Sequence, residues 1–320
     1  MNESPLLPRV IFYGTPEFAR YCLDALIVAG YPIIMVITAP DRRSGRGKKI
    51  NSSAVKEYSV KKKLPLLQPE NLKDSNFVSR LKNLQPEIQI VVAFRMLPKV
   101  VWEMPEFGTF NLHASLLPQY RGAAPINWAI INGEKETGVT TFFIDEKIDT
   151  GAIIASEKVK IKEDETFETL HDSLMEVGSD LVIKTVKLIE KDKATPKLQP
   201  KSEVFKEAPK LTSENTRISW NSTLAQIDCF IRGLSPYPTA WTFLKNGDDD
   251  PQKVKIFATT IIKDEHNFEN GVIITSKKEI KVAVEDGYLF IEELQLPGKK
   301  KMKAHELLNG FQFKKEAHFV

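Results

Sequence analysis

The sequence predicts an α/β protein with two domains, a Rossmann-like N-terminal domain and a smaller C-terminal β-barrel domain. Two observations support this prediction. Near the start of the chain, strand-like apolar runs alternate with an amphipathic helix pattern, as in βαβ units. After residue 209 the pattern changes to short strand-like runs separated by turn sequences. A length of 320 residues, 42% of them hydrophobic, suits two globular domains.

The first βαβ unit begins with an apolar run at residues 9–13, which predicts a buried strand ending at Gly14. Residues 15–17, Thr-Pro-Glu, predict an N-cap, a first-turn proline and an acidic first turn for a helix. The next strand is predicted at residues 33–38. A single glycine, Gly14, stands where dinucleotide-binding proteins carry G-x-G-x-x-G, so NAD binding is not expected. The predicted apolar face of the helix comprises Phe18, Cys22, Ala25, Leu26 and Ala29.

The rest of the first domain continues this alternation up to a long helix. Residues 191–201 then have two prolines and few large apolar side chains, which predicts a linker. We therefore expect a first domain at 1–190, a linker at 191–209 and a second domain at 210–320. Strands are predicted at residues 64–67, 88–94, 108–113 and 138–144, and helices at residues 51–63, 125–131 and 166–190.

The second domain is predicted to contain one helix, at residues 222–231, and five short strands. Turn sequences such as Asn246-Gly247 and Asp286-Gly287 separate the strands. Five short strands favour a small barrel, and an OB-like form is the candidate for nucleic-acid contact. The predicted strands lie at residues 240–244, 254–260, 271–275, 280–284 and 288–294.

Polar side chains converge near the end of the predicted strand 108–113. Asn111 and His113 alternate along this strand, so they share one of its faces. A loop rich in proline, glycine and small residues follows at 115–125, where open α/β sheets hold their ligands. Asp149 lies in a turn after the next strand-like run. A carboxylate can therefore meet the amide and the imidazole.

These three groups suit the transfer of an acyl group to an amine. The Asn111 amide or a protonated His113 can stabilise the oxyanion of a tetrahedral intermediate, and losing one such donor typically costs about 3 to 4 kcal/mol. An imidazole beside the Asp149 carboxylate can carry the protons that leave the amine and reach the leaving group. No side-chain nucleophile is needed when the acyl donor is already activated. Direct transfer between two bound substrates is therefore expected.

Two clusters of cations lie outside this site. The first, in a glycine-containing segment at 39–49, comprises Arg42, Arg43, Arg46, Lys48 and Lys49, and the second comprises Lys299, Lys300, Lys301 and Lys303. Either cluster can be a solvated loop or turn. Because the first follows a strand that ends at the predicted active face, it suggests a polyanionic acceptor contacted through its phosphates. The net charge of +3 alone is too small to diagnose nucleic-acid binding.

Several motifs together resemble the signature of the 10-formyltetrahydrofolate-dependent formyltransferases. They are Asn-Leu-His-Ala-Ser-Leu-Leu-Pro at 111–118, Tyr-Arg-Gly-Ala-Ala-Pro at 120–125, Asp145, and Asp-Thr-Gly at 149–151. The catalytic residues implied by this resemblance are Asn111, His113 and Asp149. The implied folate-binding residues are Phe94, Arg95, Met96, Leu97, Ser115, Leu116, Leu117, Pro118 and Asp145. Formyl transfer from 10-formyltetrahydrofolate, with no metal, is the implied chemistry.

Further motifs resemble the branch of this family that formylates methionyl initiator tRNA for translation initiation. The basic loop is similar to the one that engages the tRNA acceptor end, and Arg46 matches its principal arginine. Arg-Ile-Ser-Trp at 217–220, Ser-Pro-Tyr-Pro at 235–238 and the segment 296–302 are similar to the C-terminal domain of that branch. The Phe-Arg-Met sequence at 94–96 departs from the Tyr-Gly usual there. The implied tRNA-binding residues are Arg42, Arg43, Arg46, Lys48, Lys49, Lys299, Lys300 and Lys301.

Two alternatives remain open on the sequence alone. A formyltransferase acting on an amino sugar nucleotide would share the Asn, His and Asp, and a non-catalytic tRNA-binding protein would share the basic clusters. We expect a cytoplasmic protein, because no apolar run approaches the roughly 20 residues of a membrane span. We also expect a monomer. Cys22 and Cys229 are far apart in sequence, so neither a disulfide framework nor a cysteine-based zinc site is expected.

Overall fold

The computed structural model describes residues 7–44, 49–200 and 204–320. The chain forms two compact units, and each of them is built from three separate stretches. The first unit contains residues up to 122, 137–159 and 171–207, and the second contains 123–136, 160–170 and 208–320. The chain therefore enters the second unit twice before it remains there. The expected domains at 1–190 and 210–320, with a linker at 191–209, stay a prediction.

As far as the end of the first unit, eleven strands and six helices are described, with helices placed between single strands or short groups of strands. In chain order they are β1 (Val10–Gly14), α1 (Glu17–Val28), β2 (Ile33–Ile37), β3 (Arg42–Ser44), β4 (Lys49–Asn51), α2 (Ala54–Lys61), β5 (Leu66–Leu67), α3 (Ser75–Leu84), β6 (Ile88–Val92), α4 (Lys99–Trp102), β7 (Thr109–His113), β8 (Arg121–Gly122), α5 (Pro125–Ile131), β9 (Glu136–Phe143), β10 (Ile153–Lys160), α6 (Phe167–Glu190) and β11 (Glu207–Ala208).

One seven-stranded sheet organises the first unit, in the order β10-β9-β7-β6-β1-β2-β5. Neighbouring strands from β5 to β7 run parallel, and β9 runs antiparallel to β7. Strands are added outward from β1 on both of its sides, which is the doubly wound arrangement of the Rossmann-like fold. Gly14 ends β1 in a confined place, since a Cβ there would lie 2.5 Å from the Cβ of Ala19 on α1. The predicted α/β fold is confirmed.

Some local predictions for this unit were wrong. Pro16, not Thr15, occupies the N-cap of α1, and no side chain caps that helix. The short helix α3 was missed because its sequence is largely polar, although Asp74 caps it by accepting from the Phe77 backbone N–H. The flanks of the basic segment, predicted as loop, pair as the antiparallel strands β3 and β4.

The second unit contains an antiparallel sheet in the order β14-β15-β16-β13-β12-β18, with β17 paired to β16. A bridge between Val272 and His318 joins the two edges of this sheet, so the barrel is nearly closed. Helix α7 begins with a capping box formed by Thr223 and Gln226. The predicted barrel is confirmed. Its elements are α7 (Leu224–Leu234), β12 (Ala240–Lys245), β13 (Gln252–Ile262), β14 (Ile273–Thr275), β15 (Ile280–Val284), β16 (Gly287–Gln295), β17 (Met302–Lys303), α8 (Ala304–Leu308) and β18 (His318–Phe319).

Two features are absent from the ranges described above. No helix within those ranges is long and apolar enough to cross a membrane. No group of three or more His, Cys, Asp or Glu side chains within the same ranges could hold a metal ion.

Candidate active site

Strand β7 positions the two polar side chains that the sequence places on one face. It lies between β6, where Val91 pairs with Asn111, and β9, where Thr140 pairs with His113. Phe110, the residue before Asn111 in β7, is completely buried. Because hydrogen bonds hold β7 on both sides, the backbone at Asn111 and His113 is fixed by the sheet rather than by a loop.

His113 lies between two oxygen acceptors and is buried. Its Nε2 donates to the backbone carbonyl of Tyr120 over 2.8 Å. Its Nδ1 lies 3.7 Å from Oδ2 of Asp149, within ion-pair range but longer than a hydrogen bond. Because the carbonyl can only accept, the proton on Nε2 is fixed, and Nδ1 is the nitrogen whose protonation can change.

Asp149 is held by both its backbone and its carboxylate. Its φ of +55° lies in the left-handed region, which aspartate tolerates better than most residues. Its Oδ2 accepts the backbone N–H of Gly122 over 3.0 Å. Two residues after Asp149, Gly151 has no space for a side chain, since a Cβ there would lie 1.7 Å from the carbonyl oxygen of Phe143. The turn can therefore adopt this close approach only with glycine at 151.

Asn111 carries an unsatisfied polar atom within the described part of the chain. Its Oδ1 is buried and has no hydrogen-bond partner there. Leaving a buried acceptor unsatisfied typically costs about 1 to 3 kcal/mol, which a bound ligand can recover by donating an N–H group. The same side chain also offers two N–H donors. It can thus serve either an incoming amine or a developing oxyanion.

The loop after β7 is tied to β9 through Thr140, a residue that the sequence reasoning did not single out. Thr140 Oγ1 donates to the Ser115 carbonyl over 2.7 Å and accepts the Leu117 N–H over 3.2 Å. Ser115 Oγ in turn donates to the Gln119 carbonyl over 2.6 Å. Ser115 and Leu117 are buried, whereas Leu116 and Pro118 are partly exposed. The hydroxyl of Ser115 therefore shapes the loop from within.

The predicted folate-binding segment after β6 presents its side chains in different directions. Leu97 is buried in the core, whereas Met96 is 63% exposed. Phe94 is partly buried, with its ring 5.7 Å from that of Tyr13. The Arg95 guanidinium donates to the carbonyls of residues 69 and 70 and lies over the Phe94 ring. Burial, with a smaller effect of the Arg42 charge, lowers the pKa of the Arg95 guanidinium.

Asp145, the last predicted folate-binding residue, binds within its own loop. One carboxylate oxygen accepts the Thr150 hydroxyl over 2.7 Å and the Lys147 backbone N–H over 2.9 Å. These bonds close the loop from 145 to 150, which carries Asp149. Asp145 therefore shapes the turn that presents the catalytic candidate.

The predicted tRNA-binding cations lie in two places, one in each unit. Arg42 is exposed at the start of β3, and the backbones of Arg43 and Lys49 belong to the paired strands β3 and β4. Arg46 and Lys48 lie outside the described residues. In the second unit Lys299, Lys300 and Lys301 are exposed after β16, and Lys301 forms an ion pair of 2.7 Å with Glu293.

The chain combines a doubly wound sheet, whose strand β7 carries Asn111 and His113, with a nearly closed β-barrel. The formyl transferase family profile matches residues 8–186, and the profile of the formyl transferase C-terminal domain matches residues 210–312. The chain therefore belongs to the formyl transferase family. A methionyl-tRNA formyltransferase of Flavobacterium johnsoniae is 54% identical over 97% of this chain and 98% of that protein. The predicted family resemblance is confirmed.

Solved structures share the fold at low sequence identity. HypX from Aquifex aeolicus, solved in complex with tetrahydrofolic acid, matches 94% of this chain with a TM-score of 0.64 and 16% identity. This chain spans 47% of that HypX chain. WlaRD, a sugar 3N-formyl transferase solved with dTDP and 5-N-formyl-THF, matches 92% of this chain and 99% of its own, with a TM-score of 0.64 and 18% identity. At such identities the likeness shows the fold alone.

Proposed function

We propose that this protein transfers the formyl group of 10-formyltetrahydrofolate to the α-amino group of methionyl initiator tRNA. The observation that carries the proposal is the placement of His113 beside the Asp149 carboxylate, on the same strand as the unsatisfied Asn111 amide oxygen. Full-length similarity to a methionyl-tRNA formyltransferase supports the choice of acceptor. We further propose that it acts as a monomer in the cytoplasm.

The reaction follows from the chemistry of these three side chains. The amine attacks the formyl carbon, and a C–N bond forms as the carbonyl oxygen becomes an oxyanion. The N–H groups of the Asn111 amide donate to that oxyanion, and the positive charge of a protonated His113 stabilises it electrostatically. Asp149 stabilises the protonated imidazole of His113 and assists removal of the proton from the attacking amine.

Collapse of the intermediate then releases the donor. The bond between the formyl carbon and N10 of the folate breaks, and N10 takes up a proton supplied through His113. The products are formylmethionyl-tRNA and tetrahydrofolate, so atoms and charges balance without a covalent enzyme intermediate. The reactivity resides in the folate substrate, and the protein supplies orientation and charge stabilisation.

We propose that both substrates bind through the residues expected from the sequence. The segments 94–97 and 115–118, with Asp145, would surround the folate at the carboxyl ends of β6 and β7. The cations of segment 42–49 and of residues 299–301 would contact tRNA phosphates, because exposed Arg and Lys side chains are the usual partners of a polyanionic backbone.

A comparison of acceptors tests the proposal. Purified protein with 10-formyltetrahydrofolate would be given methionyl initiator tRNA in one reaction and an amino sugar nucleotide in another, and formylated product would be measured. Formylation of the tRNA with no formylation of the sugar is expected. Transfer to the sugar alone would overturn the proposed acceptor, and transfer to neither would overturn the activity.

A further inference from the structure

Gln199 lies in the segment that the sequence predicted to be a linker, yet residues on both sides of it are hydrogen-bonded to the first unit. Lys197 and Ile153 exchange two backbone hydrogen bonds of 2.8 Å. Further along, the Lys206 carbonyl accepts the Tyr120 N–H over 2.6 Å. This segment is therefore part of the first unit's structure beside the site.

The side-chain amide of Gln199 makes four hydrogen bonds to two loops. Its Nε2 donates to the carbonyl oxygens of Asp149 and Gly151, each over 2.9 Å. Its Oε1 accepts from Nε and Nη2 of Arg121 over 3.1 and 2.6 Å. An amide has two donors and an oxygen with two lone pairs, so these contacts use its full capacity.

The two loops joined by Gln199 are those that fix His113 and Asp149. In the first loop, Tyr120 accepts from the imidazole and Gly122 donates to the Asp149 carboxylate. Arg121 lies between these two residues and is the one that Gln199 contacts. On the other loop, Gln199 binds the backbone of Asp149 itself. Gln199 therefore bridges the two segments that hold the imidazole and the carboxylate.

We propose that Gln199 is a positioning residue that sets the distance between His113 and Asp149 during formyl transfer. The inference rests on the proposed function and extends it to a residue that touches neither substrate. Small displacements of reacting groups are costly, since an error of about 1 Å can lower a rate about 100-fold. Loss of the Gln199 amide should therefore lower the chemical rate more than substrate binding.

Two variants distinguish the hydrogen bonds of Gln199 to Arg121 from those to the Asp149 and Gly151 carbonyls. Gln199→Ala removes all four hydrogen bonds, whereas Gln199→Glu keeps an acceptor for Arg121 and loses both donors to the carbonyls of Asp149 and Gly151. We expect each variant to lower kcat about 10-fold to 100-fold, while KM for the folate and for the tRNA changes less than about 3-fold. Gln85→Glu makes the same chemical change at an exposed residue at the end of α3, and its kcat should equal that of the wild type.

A second readout follows the loop without measuring activity. Amide hydrogen exchange in residues 145–152 should accelerate in Gln199→Ala and Gln199→Glu but not in Gln85→Glu, since only the first two free the loop. An unchanged kcat in both Gln199 variants, with active wild type, would overturn the positioning role alone. Slower turnover with unchanged exchange in 145–152 would also overturn it. Absence of transfer by the wild type would overturn the proposed function and this inference with it.

Discussion

Gly122 donates its backbone N–H to Oδ2 of Asp149 over 3.0 Å, and the same oxygen lies 3.7 Å from Nδ1 of His113. One carboxylate oxygen thus faces both a fixed backbone donor and a ring nitrogen whose protonation can change. The backbone bond orients the carboxylate before any substrate binds. The charge of the imidazole can then respond to the reaction in a site that is already arranged.

Because Oδ1 of Asn111 has no hydrogen-bond partner in the described chain, we expect Asn111→Ala to affect turnover much more than the free energy of unfolding. Asn111→Ala removes no hydrogen bond of that oxygen within the described chain, so the free energy of unfolding should change by less than about 1 kcal/mol. Turnover should nevertheless fall about 100-fold to 1,000-fold, because the variant also lacks the side-chain NH₂ group that donates to the oxyanion. Denaturant titration and steady-state assays measure the two quantities. A large loss of stability with near-normal turnover would show that Asn111 is structural.

We expect that no residue larger than glycine is tolerated at position 151. In Gly151→Ala the added Cβ would collide with the Phe143 carbonyl, so we expect the free energy of unfolding to fall by about 1 to 3 kcal/mol. Gly310→Ala is the matched control, because nothing lies within 4 Å of a Cβ built there. Thermal unfolding of both variants checks this prediction. Equal midpoints for the two variants would contradict it.

The two cysteines should differ in their reactivity. Cys22 is completely buried and Cys229 only partly, and burial raises the pKa of the Cys22 thiol above its ordinary value. Because the thiolate is the reactive species, Cys22 should resist alkylation in the folded protein even as the pH rises to about 9. Cys229 should be labelled. Mass spectrometry of the native and denatured protein after alkylation tests this, and modification of Cys22 under native conditions would refute it.

The lysines after β16 predict a salt-dependent interaction with tRNA. Removing one cation that binds a phosphate should reduce the slope of log K against log salt by about 0.7 to 0.9. Replacing Lys299 and Lys300 with alanine should weaken tRNA binding and flatten this slope, while the exposed pair Lys277 and Lys278 provides a matched control on the same unit. Filter binding across a salt series gives the slopes. Equal slopes for both double variants and the wild type would remove residues 299 and 300 from the interface.

Sequence patterns predicted the parts of the structure that depend on residues close together in the sequence. Alternation along β7 was enough to place Asn111 and His113 on one face, and apolar runs located the central strands. The edge strand β10 was missed because charged and partly exposed residues alternate along it. Such a strand has little apolar signal, although the sheet needs it to cover β9.

The contacts that complete the site could not be predicted in the same way. Gln199 binds Arg121 across 78 positions and Asp149 across 50, and nothing in its local sequence distinguishes it from a linker residue. Thr140 likewise acts through hydrogen bonds to a distant loop. Periodicity reports burial along one element, whereas these contacts depend on how separate elements meet.

Single-turnover formyl transfer, with enzyme in excess over methionyl initiator tRNA and saturating 10-formyltetrahydrofolate, tests the role of the Asp149 charge beside His113. Asp149→Asn keeps an oxygen for the Gly122 N–H but removes the charge beside His113, and Asp180→Asn on the exposed side of α6 is its control. We expect wild type and Asp180→Asn to form formylmethionyl-tRNA at equal rates and Asp149→Asn to be slower by about 100-fold or more. A rate for Asp149→Asn within about tenfold of the wild type would show that the Asp149 charge has no catalytic role.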